Sequence, residues 1–353
     1  MAEHQNNHQP ESAPQVFLVW PREYKLSQHF ARAIGLDLLL IQCKPWRGAT
    51  LPFPIRYIIQ SIRTLLWLLR HKPAFVYIQN PPLMAVMVVW FYTLFNKKTK
   101  YGIDHHSVFF REKKWQRFHG IARPLARQAA INTSHNVYDL RTLLEWNAVA
   151  MEMQFMNPHY NLTRLDEPLQ NQALEEQRKK YPFSVFMVNR FAKNDDDYLT
   201  VIKAAQHRPD WIFFVTGNCA NIHELDFAAM PPNIVCTGYM EHEEFLKLMK
   251  RCDIVLSLTL REKTILWSVR EAMALGKVFV TSDTEALREY FKNVGIFTKR
   301  RNSSDLIRQI DYAANHKAEY EERIRQFLIA DALRIKEQCG KVRQAIDKAL
   351  ERH

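Results

Sequence analysis

Groups that bind anions gather in four short segments in the second half of this 353-residue chain. TLREKT, Thr259–Thr264, follows the apolar run DIVLSL and precedes a stretch containing REAMALGK. Arg261, Glu262, Lys263 and Thr264 therefore stand where a strand ends and a helix begins. Arg190 and Lys193 follow SVFMVN, Thr216-Gly217-Asn218 follows WIFFV, and Gly238-Tyr239 comes just after NIVC. Basic side chains aimed at a helix start, with its unpaired N–H donors, grip an anion. Gly217 and Gly238 let a ligand approach the backbone closely. Each basic residue taken singly reads as a solvated loop charge; only their gathering on one edge makes a site.

Metal chemistry is not expected. Asp195-Asp196-Asp197 contains the Asp-x-Asp spacing that can hold a divalent ion. It lies just before a helix over Tyr198–Ala205, where aspartates cap the N-terminus and complement the dipole. Glu241-His242-Glu243-Glu244 reads as a first helical turn, and His105, His106 and His119 lack a carboxylate or cysteine at metal-ligand spacing.

The elements that must position these groups form a repeated alternation. In a first block, Val16–Trp20, Leu38–Ile41, Phe75–Gln79, Tyr101–Asp104 and Ala129–Thr133 read as strands. Helices are expected over Ser27–Ile34, Pro54–Arg70, Leu83–Phe95, Gly120–Gln128 and Val137–Trp146. The Pro54–Arg70 helix has an apolar face of Ile55, Ile58, Ile59, Ile62, Leu66 and Leu69. Leu83–Phe95 is shorter than the roughly 20 residues that span a bilayer and reads as a buried helix. After a Pro- and Asn-bearing connection near 157–170, strands recur at Ser184–Asn189, Trp211–Thr216, Ile234–Thr237, Ile254–Leu258 and Val278–Thr281. Two helices close the chain after Ser303. Such alternation predicts an α/β fold of two Rossmann-like domains, their parallel sheets facing a central cleft. Ligands sit beyond the carboxyl ends of such strands. The expected divisions are a disordered tail over 1–15, domains over 16–165 and 175–300, and helices over 303–353 packing partly back across the domains.

Lys and Arg outnumber Asp and Glu by 20 to 11 in residues 1–170, but only by 29 to 26 in residues 171–353. The first block thus carries most of the +12 net charge, which suits nucleic acid, anionic lipid or phosphorylated ligands. No zinc finger, helix-turn-helix or RNA-recognition motif is present, so nucleic acid is set aside. Five cysteines without regular spacing argue against a disulfide framework and for a reducing, cytoplasmic setting. The polar N-terminus lacks the pattern of a secretion signal.

Several segments together resemble a known family. NIVCTGYMEHEEFLKLMKRCDIVLSL followed by REAMALGKVFVTSDTEALREYF is similar to the donor-binding domain of GT-B glycosyltransferases, especially glycosyltransferase family four. VYIQNPPLMAVMVVWFY, KYGIDHHS and FAKNDDDYLTVIKAA resemble the subset that includes mannosyltransferases acting on dolichol-linked chitobiose. The resemblance spans about residues 16–300. It implies transfer of a sugar from a UDP- or GDP-linked donor, a co-substrate rather than a cofactor, with no obligatory metal. It makes the first domain the acceptor domain and the second the donor domain.

The resemblance also implies roles. The donor diphosphate lies over TLREKT, Glu271 receives the ribose hydroxyls, and Arg190 neutralises the leaving diphosphate. Thr216–Asn218 and Gly238–Tyr239 line the base and phosphate side. His106 contacts the sugar or acceptor, with Asp104 orienting it or acting as base. Three departures stand out: Asp195 occupies the place of the usual lysine after the arginine, Lys263 stands where the usual first glutamate would, and the glycine-rich first loop reads WPREYKLSQ. They keep open an alternative, a catalytically inactive relative serving as a nucleotide-sugar-binding or partner subunit. For the acceptor, Arg56, Arg63 and Arg70 recur every seven residues beside Trp67, and Lys113, Lys114 and Trp115 form a second basic-aromatic cluster. That surface suits an anionic leaflet and a lipid-linked or glycan acceptor, with the protein peripheral on the inner face of the membrane.

Overall fold

The computed structural model describes residues 13–21, 25–43, 52–154, 157–192, 195–219 and 230–351. Lys193 and the first twelve residues of the expected tail lie outside them. The chain divides into two units: Met1–Met156 with Leu333–His353, and Asn157–Ala332.

In the first unit the elements run β1 (Gln15–Val19), α1 (Lys25–Ala33), β2 (Asp37–Leu40), α2 (Phe53–His71), β3 (Phe75–Asn80), α3 (Leu83–Phe95) and β4 (Lys100–His105). Two short helices, α4 (Ser107–Arg111) and α5 (Lys113–Gln116), precede α6 (His119–Gln128), β5 (Ile131–Ser134), α7 (Val137–Glu145) and β6 (Ala150–Glu152). All strands pair in parallel, in the order β2-β1-β3-β4-β5-β6. β3, FVYIQN, is buried at every position, as a central parallel strand covered on both faces must be. One face packs Val16, Leu18, Ile78 and Ile103 against Val86 and Val89 of α3. The other packs Phe17 and Tyr77 against Phe30 and against Ile335, Val342 and Ile346 near the C-terminus.

The second unit continues with α8 (Gln172–Lys179), β7 (Phe183–Val188), α9 (Tyr198–His207), β8 (Trp211–Thr216), β9 (Ile234–Gly238), α10 (His242–Arg251), β10 (Ile254–Ser257), α11 (Trp267–Ala274), β11 (Phe279–Ser282), α12 (Glu285–Phe291), β12 (Ile296–Thr298) and α13 (Ser303–Asn315). Its parallel sheet runs β12-β11-β10-β7-β8-β9. The order reverses between β7 and β10, so the loops leaving these neighbours diverge at a topological switch point. The last helix, α14 (Lys317–Glu351), begins in this unit and ends in the first.

Four sequence expectations change. The apolar face of α2 does not point inward: Ile55, Ile58, Ile62, Leu66 and Leu69 are exposed, while Gln60, Thr64 and Leu68 are buried. Specific hydrogen bonds explain the inversion. Gln60 donates to the carbonyls of Trp20 (3.2 Å) and Ile41 (2.7 Å), and Thr64 accepts from the Trp20 indole at 3.0 Å. α3 is buried on one side only, for Met84, Phe91, Leu94 and Phe95 are exposed. Cys219 and Cys236 form a disulfide between β9 and the loop after β8, which their spacing did not signal; Cys43, Cys252 and Cys339 are free and buried. The 157–170 connection is fastened down, since Arg251 donates to the carbonyls of Leu165, Asp166 and Glu167. β6 and β12, three residues each, were too short for the pattern to reveal.

A buried ion pair organises the second unit. Arg270, on α11, is wholly buried and donates to Asp331 and Asn157, each at 2.8 Å. Asp331→Ala leaves that charge without its counter-ion and should cost about 3–5 kcal/mol in urea unfolding. Arg270→Met combined with Asp331→Leu should cost much less; an equal loss in both would contradict a charge-pairing role.

Candidate active site

At the switch point, Asp195 gathers the cations. Its carboxylate accepts from Arg190 at 2.7 Å and from the Thr259 hydroxyl at 3.0 Å, and Arg261 lies 3.3 Å away. The Leu260 amide donates to the Asp195 main-chain oxygen. One buried carboxylate thus joins the loop after β7 to the loop after β10 and leaves two guanidiniums with a net positive charge. Asp196 holds the Arg190 and Ala192 amides, both at 2.9 Å. Asp197 accepts from Thr200 (2.7 Å) and from the Arg301 amide (2.7 Å). The aspartate run therefore ties loops together rather than capping α9: Asp197 stands at the N-cap position, but its side chain makes no capping bond there.

Thr216 and Gly217 close onto the same place. The Thr216 hydroxyl accepts from the Asn189 amide at 2.8 Å. A β-carbon on Gly217 (φ +92°) would stand 2.6 Å from the Asn189 carbonyl oxygen and 3.0 Å from Arg190 Cα, so only glycine fits. Gly217 also bonds the Gly238 carbonyl at 3.0 Å. Asn218 and Tyr239 lie exposed near these turns.

The N-cap of α11 is Leu266, which offers no side-chain cap, and the helix N-terminus follows the 259–264 loop. Thr264 is partly exposed and Lys263 exposed in that loop. Glu262 turns elsewhere, accepting from the Glu285 amide at 2.7 Å and pairing with Arg300 at 2.8 Å. Glu271, on α11, is buried; Tyr160 donates to it at 3.3 Å and His242 lies 3.8 Å away. Burial, then the Glu271 charge, pushes the Tyr160 hydroxyl well above its ordinary value, so it stays a donor. Sequence reading missed both partners: Tyr160 sits in the stretch taken as a connection, and His242 in what read as a plain helical turn.

In the first unit, Asp104 and His106 meet at the carboxyl end of β4, and His135 joins them from just beyond β5. Asp104 Oδ2 lies 3.2 Å from His106 Nε2, and Oδ1 lies 3.3 Å from His135 Nε2. Thr133 donates to Asp104 at 2.8 Å and accepts from Tyr77 at 3.0 Å. Gly102 makes room for that tyrosine, since a β-carbon there would meet its ring at 2.9 Å. Burial would raise the Asp104 carboxyl, but His135 and then His106 hold it well below the usual range. His135 donates its Nδ1 proton to the Met153 carbonyl (2.8 Å), and burial is outweighed by Asp104, which raises its pKa. His106 is the exposed member, with one-fifth of its side chain accessible. The sequence expectation that these histidines lack a carboxylate partner is corrected: Asp104 is two residues from His106, and the fold brings His135 across one strand. Among the described residues these three alone place donor atoms within 4.8 Å of one another in a set that could hold a metal.

Comparison with known proteins accords with this geometry. Residues 170–327 match the model for glycosyl transferases group 1. No curated protein matches the chain in sequence. Among solved structures, sucrose-phosphate synthase from Thermosynechococcus elongatus superposes with a TM-score of 0.69 at 12% identity, covering 95% of this chain and 100% of that one. A glycosyltransferase from Rickettsia africae gives 0.68 at 12% identity, covering 96% and 99%. HepE from Anabaena, solved with UDP and glucose, gives 0.67 at 12% identity, covering 97% and 100%. Together these define a class of fold: the chain has the two-sheet α/β architecture of GT-B glycosyltransferases, and residues 170–327 are similar to the group 1 family within it.

A pH prediction follows from His105, buried beside this cluster. Asn132, fixed by the carbonyls of Ala126 and Val149, accepts from His105 Nε2, which leaves Nδ1 to accept from Asn80. Burial pushes the His105 pKa down to about 4 from an ordinary 6.5. A neutral histidine favoured by folding contributes stability that is full above pH 6.5 and is lost as pH falls toward 4. The depressed Asp104 carboxyl acts in the same direction at still lower pH. Denaturant unfolding should weaken by about 3 kcal/mol between those limits, and His105→Asn should flatten the trend. An unchanged slope in the variant would contradict the assignment.

Proposed function

We propose that the chain transfers a sugar from a UDP- or GDP-linked donor to a lipid-linked or glycan acceptor in cell-surface polysaccharide or glycoconjugate synthesis. The observation that carries this reading is the sharing of Asp195 by Arg190 and Arg261 at the switch point of a sheet that matches group 1 glycosyl transferases. HepE was solved with UDP and with UDP-glucose, which supports a nucleotide sugar as donor. Negative charge grows on the diphosphate as the glycosidic bond breaks. Arg190, Arg261 and the positive end of the α11 dipole are fixed groups that stabilise it. Glu271 accepts the ribose hydroxyls once the donor displaces Tyr160 and His242 from it. His106 contacts the transferred sugar or the acceptor hydroxyl, and Asp104 holds its ring. The chemistry is assigned no cofactor and no obligatory metal. The protein works peripherally on the inner face of the membrane, where a lipid-linked acceptor is presented; no helix among the described residues is long and apolar enough to cross a bilayer.

The engagement of Arg190 by Asp195, and the cover over Glu271, equally suit the second reading, a nucleotide-sugar-binding relative without turnover. A transfer assay separates the two. Arg190→Ala and Glu271→Ala should each lower kcat by about 100-fold or more, the scale seen when one stabilising group at a developing charge is removed. Nucleotide-sugar binding with no transfer to any lipid-linked or glycan acceptor would leave the non-catalytic reading in place.

A further inference from the structure

The strongest feature not used by the sugar chemistry is the outer surface of α2 and α3. Along α2 the exposed apolar residues fall at Ile55, Ile58, Ile62, Leu66 and Leu69, a three-and-four spacing that draws one continuous stripe. Ile58 and Leu66 are 60% and 61% exposed, and Phe95 at the end of α3 is 78% exposed. An apolar groove of about 320 Å³ runs between the helices, lined by Ser61, Ile62, Leu65, Met87, Val88 and Phe91 among others. The inversion of α2 is held from below by the buried bonds of Gln60 and Thr64, so the fold fixes this stripe outward. A soluble surface rarely carries so much contiguous apolar area.

Charge identifies the occupant. Residues 38–103 contain nine Lys and Arg and not one Asp or Glu. Arg63 and Arg70 are exposed on α2 itself, and Lys97 and Lys98 are exposed just past Phe95. A second copy of this chain would bring the same positive surface and be repelled. An anionic bilayer supplies hydrocarbon for the stripe and negative headgroups for the cations at once. The aromatic residues first expected to dock, Trp67 and Trp115, are partly buried against the core, so the aliphatic stripe takes their place.

We propose that α2 lies in the plane of an anionic membrane, with its Ile55–Leu69 stripe and the outer residues of α3 inserted among the acyl chains. This deepens the membrane placement given above and does not depend on the donor chemistry. The test uses the full chain with vesicles of phosphatidylcholine alone and of a phosphatidylcholine–phosphatidylglycerol mixture. Wild type should partition onto the anionic vesicles and keep part of that binding in high salt, since the inserted stripe is not screened. Ile58→Gln with Leu66→Gln, both at exposed positions, should lower partition by about tenfold or more and remove the salt-resistant part. Arg63→Gln with Arg70→Gln should remove mainly the salt-sensitive part. UDP and GDP binding, read by thermal shift, should be unchanged in the Ile58/Leu66 variant, which shows that it folds and separates this proposal from the transferase reading. Equal partition of wild type and that variant would overturn the proposal. So would absence of vesicle binding by wild type, or self-association in solution that the same variant abolishes.

Discussion

Asp195 is the interaction on which the donor-type site depends. Two loops leave adjacent parallel strands at the point where the sheet order reverses, and each brings an arginine. Two guanidiniums in one place repel and would splay apart. A single buried carboxylate between them, with the Thr259 hydroxyl on its other oxygen, turns that repulsion into a fixed geometry. Because one negative charge serves two positive ones, a net positive potential remains there, as the proposed binding of a diphosphate requires. Arg190 keeps two-thirds of its side chain exposed, so its pairing does not bury it. Asp195, a departure from the pattern that the family resemblance implied, is the group that organises the cations.

The first unit applies the same rule with the signs reversed. A buried carboxylate would be costly alone, and Asp104 is kept ionised by two imidazoles and a threonine hydroxyl. Tyr77, reaching across Gly102, sets the threonine. The result is one histidine locked in the interior, His135, and one facing solvent, His106. A tightly held partner fixes the His106 ring, so in the proposed reaction this group would lose little freedom on binding.

Much of this was legible in the sequence, because strand–helix alternation and apolar runs report burial directly. The two parallel sheets and the loops carrying Arg190, Thr216, Gly217, Gly238 and Arg261 follow from that pattern, whereas Asp104 beside His106 came only from the family resemblance. What failed were the places where tertiary partners override local signals. Asp195 read as a helix cap because only the fold brings Arg261 to it. His135 lies 29 residues beyond His106, and only the pairing of β4 with β5 makes them neighbours. The apolar face of α2 read as core, since nothing local says that Gln60 and Thr64 have buried partners waiting. Glu271 matched by motif, but its cover by Tyr160 came from a stretch with no regular pattern.

The central claim is that the second unit grips a diphosphate through arginines set by Asp195. Calorimetric titration of UDP against uridine, and GDP against guanosine, measures that grip with the base held constant. The account predicts that one diphosphate binds far more tightly than its nucleoside, and that the gap closes in Arg190→Ala with Arg261→Ala. A gap of the same size in that double variant, or no preference for either diphosphate in the wild type, would contradict it.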